Sequence, residues 1–326
     1  MAIDIQGIRG FNYAPGYAYT GADIWRYFDR ETFARELGWG KRHFPKMNGI
    51  RVWLAWEVFA LGSDAEKVAF LDNVDAALGV AADLGLVVMP VLFNRWHHGI
   101  PDWGGVYLDH LLPNASWARD TFPERSREYV TSLIRRFGSD ERIFAWDLCN
   151  EPYSYSFDED PDPAWELERH ESAWLHEVYD TAKSAGARAP LSVGFWKGAD
   201  HLREYPEFSD ILNFHSYWMG GDADADEWLA GLDACVEVRE KTGKPLFCSE
   251  SCWGNIDDAK RVEILEFNLR ELNRREIGWF IHALAHSRIA DLHRPEAGPV
   301  QGPGVMHCVE PDGSVRPGHE VINDYL

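Results

Sequence analysis

The chain has no surplus of basic residues. Lysine and arginine total 32 against 53 aspartates and glutamates, a formal charge of −21. Phosphate backbones and anionic headgroups would be repelled, so neither nucleic acid nor a membrane surface is an expected partner. No apolar run is long enough to span a bilayer. The opening Met1-Ala2-Ile3-Asp4 shows no basic segment followed by an apolar stretch, so the expectation is a cytoplasmic protein without a secretory signal. There are five cysteines, an odd number, with no CxxC pair. That argues against a disulfide framework and against zinc, and predicts buried free thiols in a reducing compartment. No glycine-rich phosphate fingerprint follows an early strand, which counts against a doubly wound dinucleotide-binding sheet. Linkers, internal repeats and low-complexity runs are absent too.

Of the 326 residues, 45% are hydrophobic, enough for a large core. Short apolar runs alternate with helical patterns. Strands are predicted at 7–13, 49–55, 86–93, 143–148, 191–196, 211–215, 245–249 and 277–284. Helices are predicted near 30–47, 64–84, 124–138, 164–186, 198–205, 226–242 and 257–275, with a short one near 318–325. Phe70, Val74, Ala77 and Leu78 share one helical face, as do Ile264, Leu265, Leu269 and Leu272. Gly85, Gly138, Gly186 and Gly243 each follow a helix, where a left-handed residue is wanted. Eight strand–helix repeats predict an α/β fold, a (β/α)8 TIM barrel, as a single domain over residues 1–326.

Polar and aromatic residues collect where the strands end. Strand two carries Arg51 and runs into Trp56 and Glu57. Strand three ends in Asn94-Arg95-Trp96-His97-His98, strand four in Asn150-Glu151-Pro152 and strand five in Trp196. Strand six ends in His215, Tyr217 and Trp218, and strand seven in Glu250 followed by Trp253. In a barrel these ends share the C-terminal face, where active sites form. Glu151 and Glu250 would converge there although 99 positions apart in sequence. Two carboxylates facing one pocket are what glycoside hydrolysis needs. One is protonated and gives its proton to the leaving oxygen; the other is ionised and stabilises or attacks the anomeric carbon. Indole faces suit sugar rings, and Trp196, Trp218 and Trp253 are expected collectively to line the site, with Trp103 also past a strand end.

On these motifs the sequence resembles glycoside hydrolase clan A, and within it the family-five cellulases and mannanases. The likeness covers nearly the whole chain as architecture, through short motifs. It implies Glu151 as acid/base and Glu250 as nucleophile. It implies Asn150 as a contact to the substrate 2-hydroxyl, Arg51 as support for the nucleophile, and the pair His215 and Tyr217, with Tyr217 reaching Glu250. His98, in preference to His97, would bind sugar hydroxyls. One departure stands out: the family's strand eight usually ends in a tryptophan, and the register of Gly278-Trp279-Phe280-Ile281-His282 puts His282 there.

The expected activity is hydrolysis of a β-glycosidic bond in an oligo- or polysaccharide of β-mannan or β-glucan type. No cofactor and no metal are expected, the partner is the carbohydrate substrate, and oligomeric state is left open. The two carboxylates, reaching across a narrow barrel, are expected to leave the short gap of roughly 5–5.5 Å that gives retention. Two alternatives belong to other classes. One is a metal-dependent barrel hydrolase using His282, His286, Asp291 and His293. The other is a non-catalytic sugar-binding barrel.

Overall fold

The structure is a computed structural model that describes residues 4–94, 122–153, 161–205, 207–221, 224–289, 291 and 304–326, the side chains of 161–167 excepted. Eight parallel strands close a barrel in sequence order: β1 (Arg9–Asn12), β2 (Gly49–Trp53), β3 (Val87–Asn94), β4 (Trp146–Asn150), β5 (Leu191–Phe195), β6 (Ile211–Ser216), β7 (Leu246–Ser251) and β8 (Gly278–Ile281). β8 pairs with β1 and closes the ring, so no sheet edge is left open. The (β/α)8 expectation is met. His98 and His97, with Trp96, Trp103 and His293, lie outside the described residues.

The described helices are α1 (Gly21–Arg26), α2 (Arg30–His43), α3 (Trp56–Ala60), α4 (Asp64–Asp83), α5 (Phe122–Phe137), α6 (Pro161–Ala185), α7 (Ala199–Glu204), α8 (Ala225–Thr242) and α9 (Asp258–Arg274). Their starts follow from local chemistry. Ser63 and Glu66 form a reciprocal capping box on α4, and the Asp257 carboxylate accepts from the Ala259 and Lys260 amides at the head of α9. The faces predicted from periodicity, Phe70 to Leu78 and Ile264 to Leu272, are buried against the barrel. α1 and α3 were not predicted, because five or six residues are too few to display a 3.6-residue period. The predicted C-terminal helix is a 3₁₀ turn, His319–Asp324.

Gly85, Gly186 and Gly243 take positive φ after their helices, as expected. Gly138 does not, and a different constraint requires it: a Cβ there would lie 2.5 Å from the Ile134 carbonyl oxygen and 3.1 Å from that of Gly186.

Strand four begins later than its apolar run suggests. Ile143, Phe144 and Ala145 precede it, and Phe144 and Ala145 join Ile5, Ile8, Met89, Ile211, Phe247 and Phe280 in a plug that seals the N-terminal end of the barrel. Phe144, Phe247 and Phe280 meet edge to face at 5.0–6.0 Å. Burying each such side chain stabilises by roughly 1.5–3 kcal/mol. β8 is shorter than predicted because the chain leaves the ladder at His282. There the backbone bonds to the returning tail, with the Ala283 amide donating to the Met306 carbonyl at 3.0 Å. Among the described residues no helix is long and apolar enough to cross a membrane. All five cysteines are buried free thiols.

Candidate active site

Arg51 organises the interior above the plug. It is fully buried on β2, and its guanidinium lies 4.3 Å from the centre of the Trp53 ring. Nε and Nη2 donate to Asp147 Oδ2 at 3.0 and 2.8 Å, and Nη2 also reaches Asn150 Oδ1 at 2.7 Å. Nη1 donates to Glu250 Oε1 at 2.5 Å and Asn12 Oδ1 at 3.2 Å. The other oxygen of Glu250 accepts from the Tyr217 hydroxyl at 2.5 Å. Burial pushes the Glu250 carboxyl up, but the positive fields of His215 and Arg51 and the Tyr217 hydrogen bond overcome it, and the pKa falls to about 2. Burial and the neighbouring Glu250 charge lift the Tyr217 phenol far above its usual range, so it stays a donor. The result is an ionised carboxylate held from two sides.

The adjacent register supplies the second carboxylate. Asn94, Asn150 and Gly194 lie side by side on β3, β4 and β5, and His215 faces Glu250 across β6 and β7. Asn150 donates to Asn94 Oδ1 at 2.9 Å while its own oxygen receives Arg51. Glu151 comes next, with φ of 50°, and its amide donates to the Gly194 carbonyl at 2.8 Å. A left-handed glutamate costs on the order of 1–3 kcal/mol and turns the chain out of the strand, so that its side chain enters the mouth of the barrel. His215 joins the two acids. Its Nδ1 lies 2.7 Å from Glu151 Oε1 and 3.5 Å from Glu250 Oε2, and its Nε2 lies 3.1 Å from Ser249 Oγ. A carboxylate oxygen of Glu151 and one of Glu250 lie within 4.8 Å of each other.

A family model described as Cellulase (glycosyl hydrolase family 5) matches residues 41–287, well over half of the chain. The chain belongs to glycosyl hydrolase family 5. It is a glycosidase, and the family barrel extends over solved structures of low identity. A GH5_18 protein from Streptomyces cattleya, crystallised as a glutamate-to-alanine variant with Manβ1-4GlcNAc, aligns at TM-score 0.73 and 15% identity over 97% of this chain and 79% of that one. The exo-β-1,4-mannosidase Op5Man5 from Opitutaceae bacterium strain TAV5 aligns at 0.71 and 17%, over all of this chain and 62% of that one. A hyperthermostable endo-1,4-β-D-mannanase from Thermotoga petrophila RKU-1 aligns at 0.65 and 15%, over 98% of both chains. A comparison with curated protein sequences finds no match.

Not every aromatic expected at the site of this family-five enzyme is there. Trp218 is a correction. It is buried against Phe267, ring centres 4.2 Å apart, and its Nε1 donates to the Gly221 carbonyl, so it packs β6 against α9 and offers no face to a sugar. Trp56, likewise past a strand end, is buried in α3 against Phe93 and Phe122. Trp253 is half-buried and stands edge-on to Tyr217 at 5.0 Å. Trp196 is 44% exposed and borders a groove of about 610 Å³ that it shares with Lys197, Arg203, His215, Tyr217 and Trp228. His282 lies in the interior, edge-on to Trp53 at 6.3 Å, and burial beside Arg51, His215 and Arg261 lowers its pKa to about 4.

Among the described residues, His286 and Asp291 do not form a group of metal-compatible spacing with His282. His286 Nε2 lies 3.6 Å from Asp291, and Asp291 is bonded by His307, which also reaches Glu310 at 3.2 Å. Glu151, His215 and Glu250 are the group of metal-compatible spacing among the described residues. There the Glu250 oxygens already bind Arg51 and Tyr217, and the Arg51 charge opposes a second cation.

Sequence reasoning missed Asp147, Asn12 and Ser249 and gave Asn94 no role beyond its place at a strand end; all four are buried and bonded into this network. Asp147 is the weightiest, since it takes two of Arg51's hydrogen bonds. An acidic residue inside an otherwise apolar strand was the available signal. Gly194 makes the room: a Cβ there would come within 2.9–3.2 Å of His215, Asp147 and Arg51.

Proposed function

We propose that this enzyme hydrolyses β-mannosidic bonds with net retention, using Glu250 as nucleophile and Glu151 as acid/base. Glu250 attacks the anomeric carbon and the glycosidic C–O bond breaks. The Glu151 proton goes to the departing oxygen, and a glycosyl ester on Glu250 remains. Water then attacks the same carbon, gives its proton to Glu151 and releases the Glu250 carboxylate. Arg51 and Tyr217 keep Glu250 ionised and aimed, and His215 positions Glu151 from the opposite side. Asn150, anchored by Arg51 and Asn94, is assigned to the sugar 2-hydroxyl. Trp196 serves as a platform for the leaving-group sugar, and His282 takes the place of the usual strand-eight tryptophan beside the cleaved sugar.

The observation that carries the reading is the carboxylate gap within 4.8 Å, bridged by His215. Carboxylate oxygens this close favour the roughly 5–5.5 Å carboxyl spacing of retaining enzymes over the roughly 6.5–9.5 Å that admits the inverting water. The mannosyl preference is supported by the structural neighbours, one holding Manβ1-4GlcNAc and others called mannosidase or mannanase. The test is proton NMR of the first sugar released from an aryl β-mannoside, read before mutarotation. A β-anomer is expected first; an α-anomer would sink the double displacement.

A further inference from the structure

Arg261, on α9, is fully buried, and among the described residues no carboxylate comes within ion-pair reach of it. It is surrounded by backbone carbonyls. Nη1 donates to the carbonyls of Cys252 and Trp253, and Nη2 donates to those of His282 at 3.0 Å and Met306 at 3.1 Å. Nε has no hydrogen-bond partner. A guanidinium taken out of water without an anion is costly, and an apolar side chain of similar size would fill the space at no such cost. What the charge gains is geometry. Its planar fork binds three chain segments at once: the stretch after β7, the residue after β8, and the returning tail.

Two of those segments reach the groups that hold Glu250. Trp253 stands edge-on to Tyr217, whose hydroxyl holds Glu250 Oε2. Cys252, whose carbonyl accepts from Arg261, has a φ of 64°, a conformation a cysteine keeps only under constraint. His282 packs on Trp53, the ring that also covers Arg51.

We propose that Arg261 is a positioning residue for the reaction: by gathering these carbonyls it fixes Trp253 beside Tyr217 and His282 beside Trp53, the neighbours of the two groups that hold Glu250. The proposal rests on Glu250 as nucleophile. Arg261 also acts through charge. His282 is faced by Glu250 from β7, Arg51 from β2, His215 from β6 and Arg261 from α9, and Arg261 is one of the cations that keep it neutral.

The experiment compares R261M and R261K with the parent on an aryl β-mannoside, each assayed well below its own melting temperature. R261M lowers kcat by about ten- to a hundredfold, the effect of sub-ångström to 1 Å misplacement, with KM changing far less. The His282 ring, followed by NMR, takes its proton at a higher pH, because the Arg261 field is gone. R261K keeps the charge, so it keeps the parent's His282 titration, but one ammonium cannot replace the fork and kcat recovers only in part. A folded R261M with the parent's kcat and His282 titration overturns the proposal and leaves Arg261 a purely structural residue, whatever its melting temperature. If R261M does not fold, R261K decides alone, and a parental kcat in R261K overturns the proposal. Glu250→Ala with added azide separates this from the underlying reading. A mannosyl azide product supports the nucleophile, whereas retained turnover without azide removes the nucleophile assignment and the proposal with it.

Discussion

Replacing Tyr217 by phenylalanine removes one oxygen and nothing else from the site. That oxygen donates to Glu250 Oε2 at 2.5 Å, from a half-buried side chain at the edge of the groove. A hydrogen bond to a charged group contributes about 1.5–3 kcal/mol. At about 1.36 kcal/mol per pKa unit, its loss raises the Glu250 pKa by about 1–2 units. The starting value of about 2 then becomes about 3–4. At neutral pH Glu250 remains ionised in the variant. The loss there comes from a carboxylate freer to rotate away from the anomeric carbon, about tenfold in kcat/KM for about 1.4 kcal/mol of positioning.

Acid conditions separate the two effects. Near pH 4 the parent's Glu250 is almost wholly ionised, while about half of the variant's is protonated if its pKa reaches about 4. The assay is kcat/KM on an activated aryl β-mannoside, whose leaving group needs little help from Glu151, measured from about pH 3 to 7. The acid limb of the variant is expected to lie about 1–2 units above the parent's. The sign carries into stability. Glu250 titrates below its ordinary 4.5 in the folded protein, so its ionisation stabilises the fold above that value and the contribution fades as pH falls from about 4.5 toward about 2. The variant loses that contribution at a higher pH. An acid limb that superimposes on the parent's would refute the claim that Tyr217 holds Glu250 ionised.

Arg51→Met leaves Asp147 and Glu250 buried together without their cation, and breaking such a pair costs about 3–5 kcal/mol. Urea denaturation at neutral pH should show that loss, and the deficit should shrink in acid as the stranded carboxylates take protons. Trp218→Ala and Trp196→Ala should split cleanly. Trp218→Ala opens the packing against Phe267 and lowers stability by about 3–5 kcal/mol with turnover per folded molecule little changed. Trp196→Ala leaves the melting temperature in place and raises KM for oligosaccharides more than for aryl mannosides.

The barrel and the core of its site were legible because both rest on local signals. Eight apolar runs alternate with amphipathic helices, and a parallel ladder needs both. Glu151 was legible because Asn150-Glu151-Pro152 breaks an apolar strand, and Glu250 because a carboxylate ends another. The tryptophans were not legible in the same way. Trp196 and Trp218 both follow strand ends, yet one is 44% exposed and the other is 5% exposed. Only the arrival of Phe267 from α9 decides between them, and no local pattern records what a distant helix brings.

The sequence by itself determined which residues could do the chemistry and on which face of the fold they would gather, because strand order and strand ends follow from periodicity. The tertiary structure decided which of them meet. Strict alternation along β4 would send Asp147 and Asn150 to opposite faces, and along β7 it would do the same to Ser249 and Glu250. The register shifts between Asp147 and Asn150 and between Cys248 and Ser251, and at both places the irregularity lets neighbouring residues face inward together. Each shift is a relation between one strand and its neighbour, so it is set by the pairing and not by the residues of a single strand.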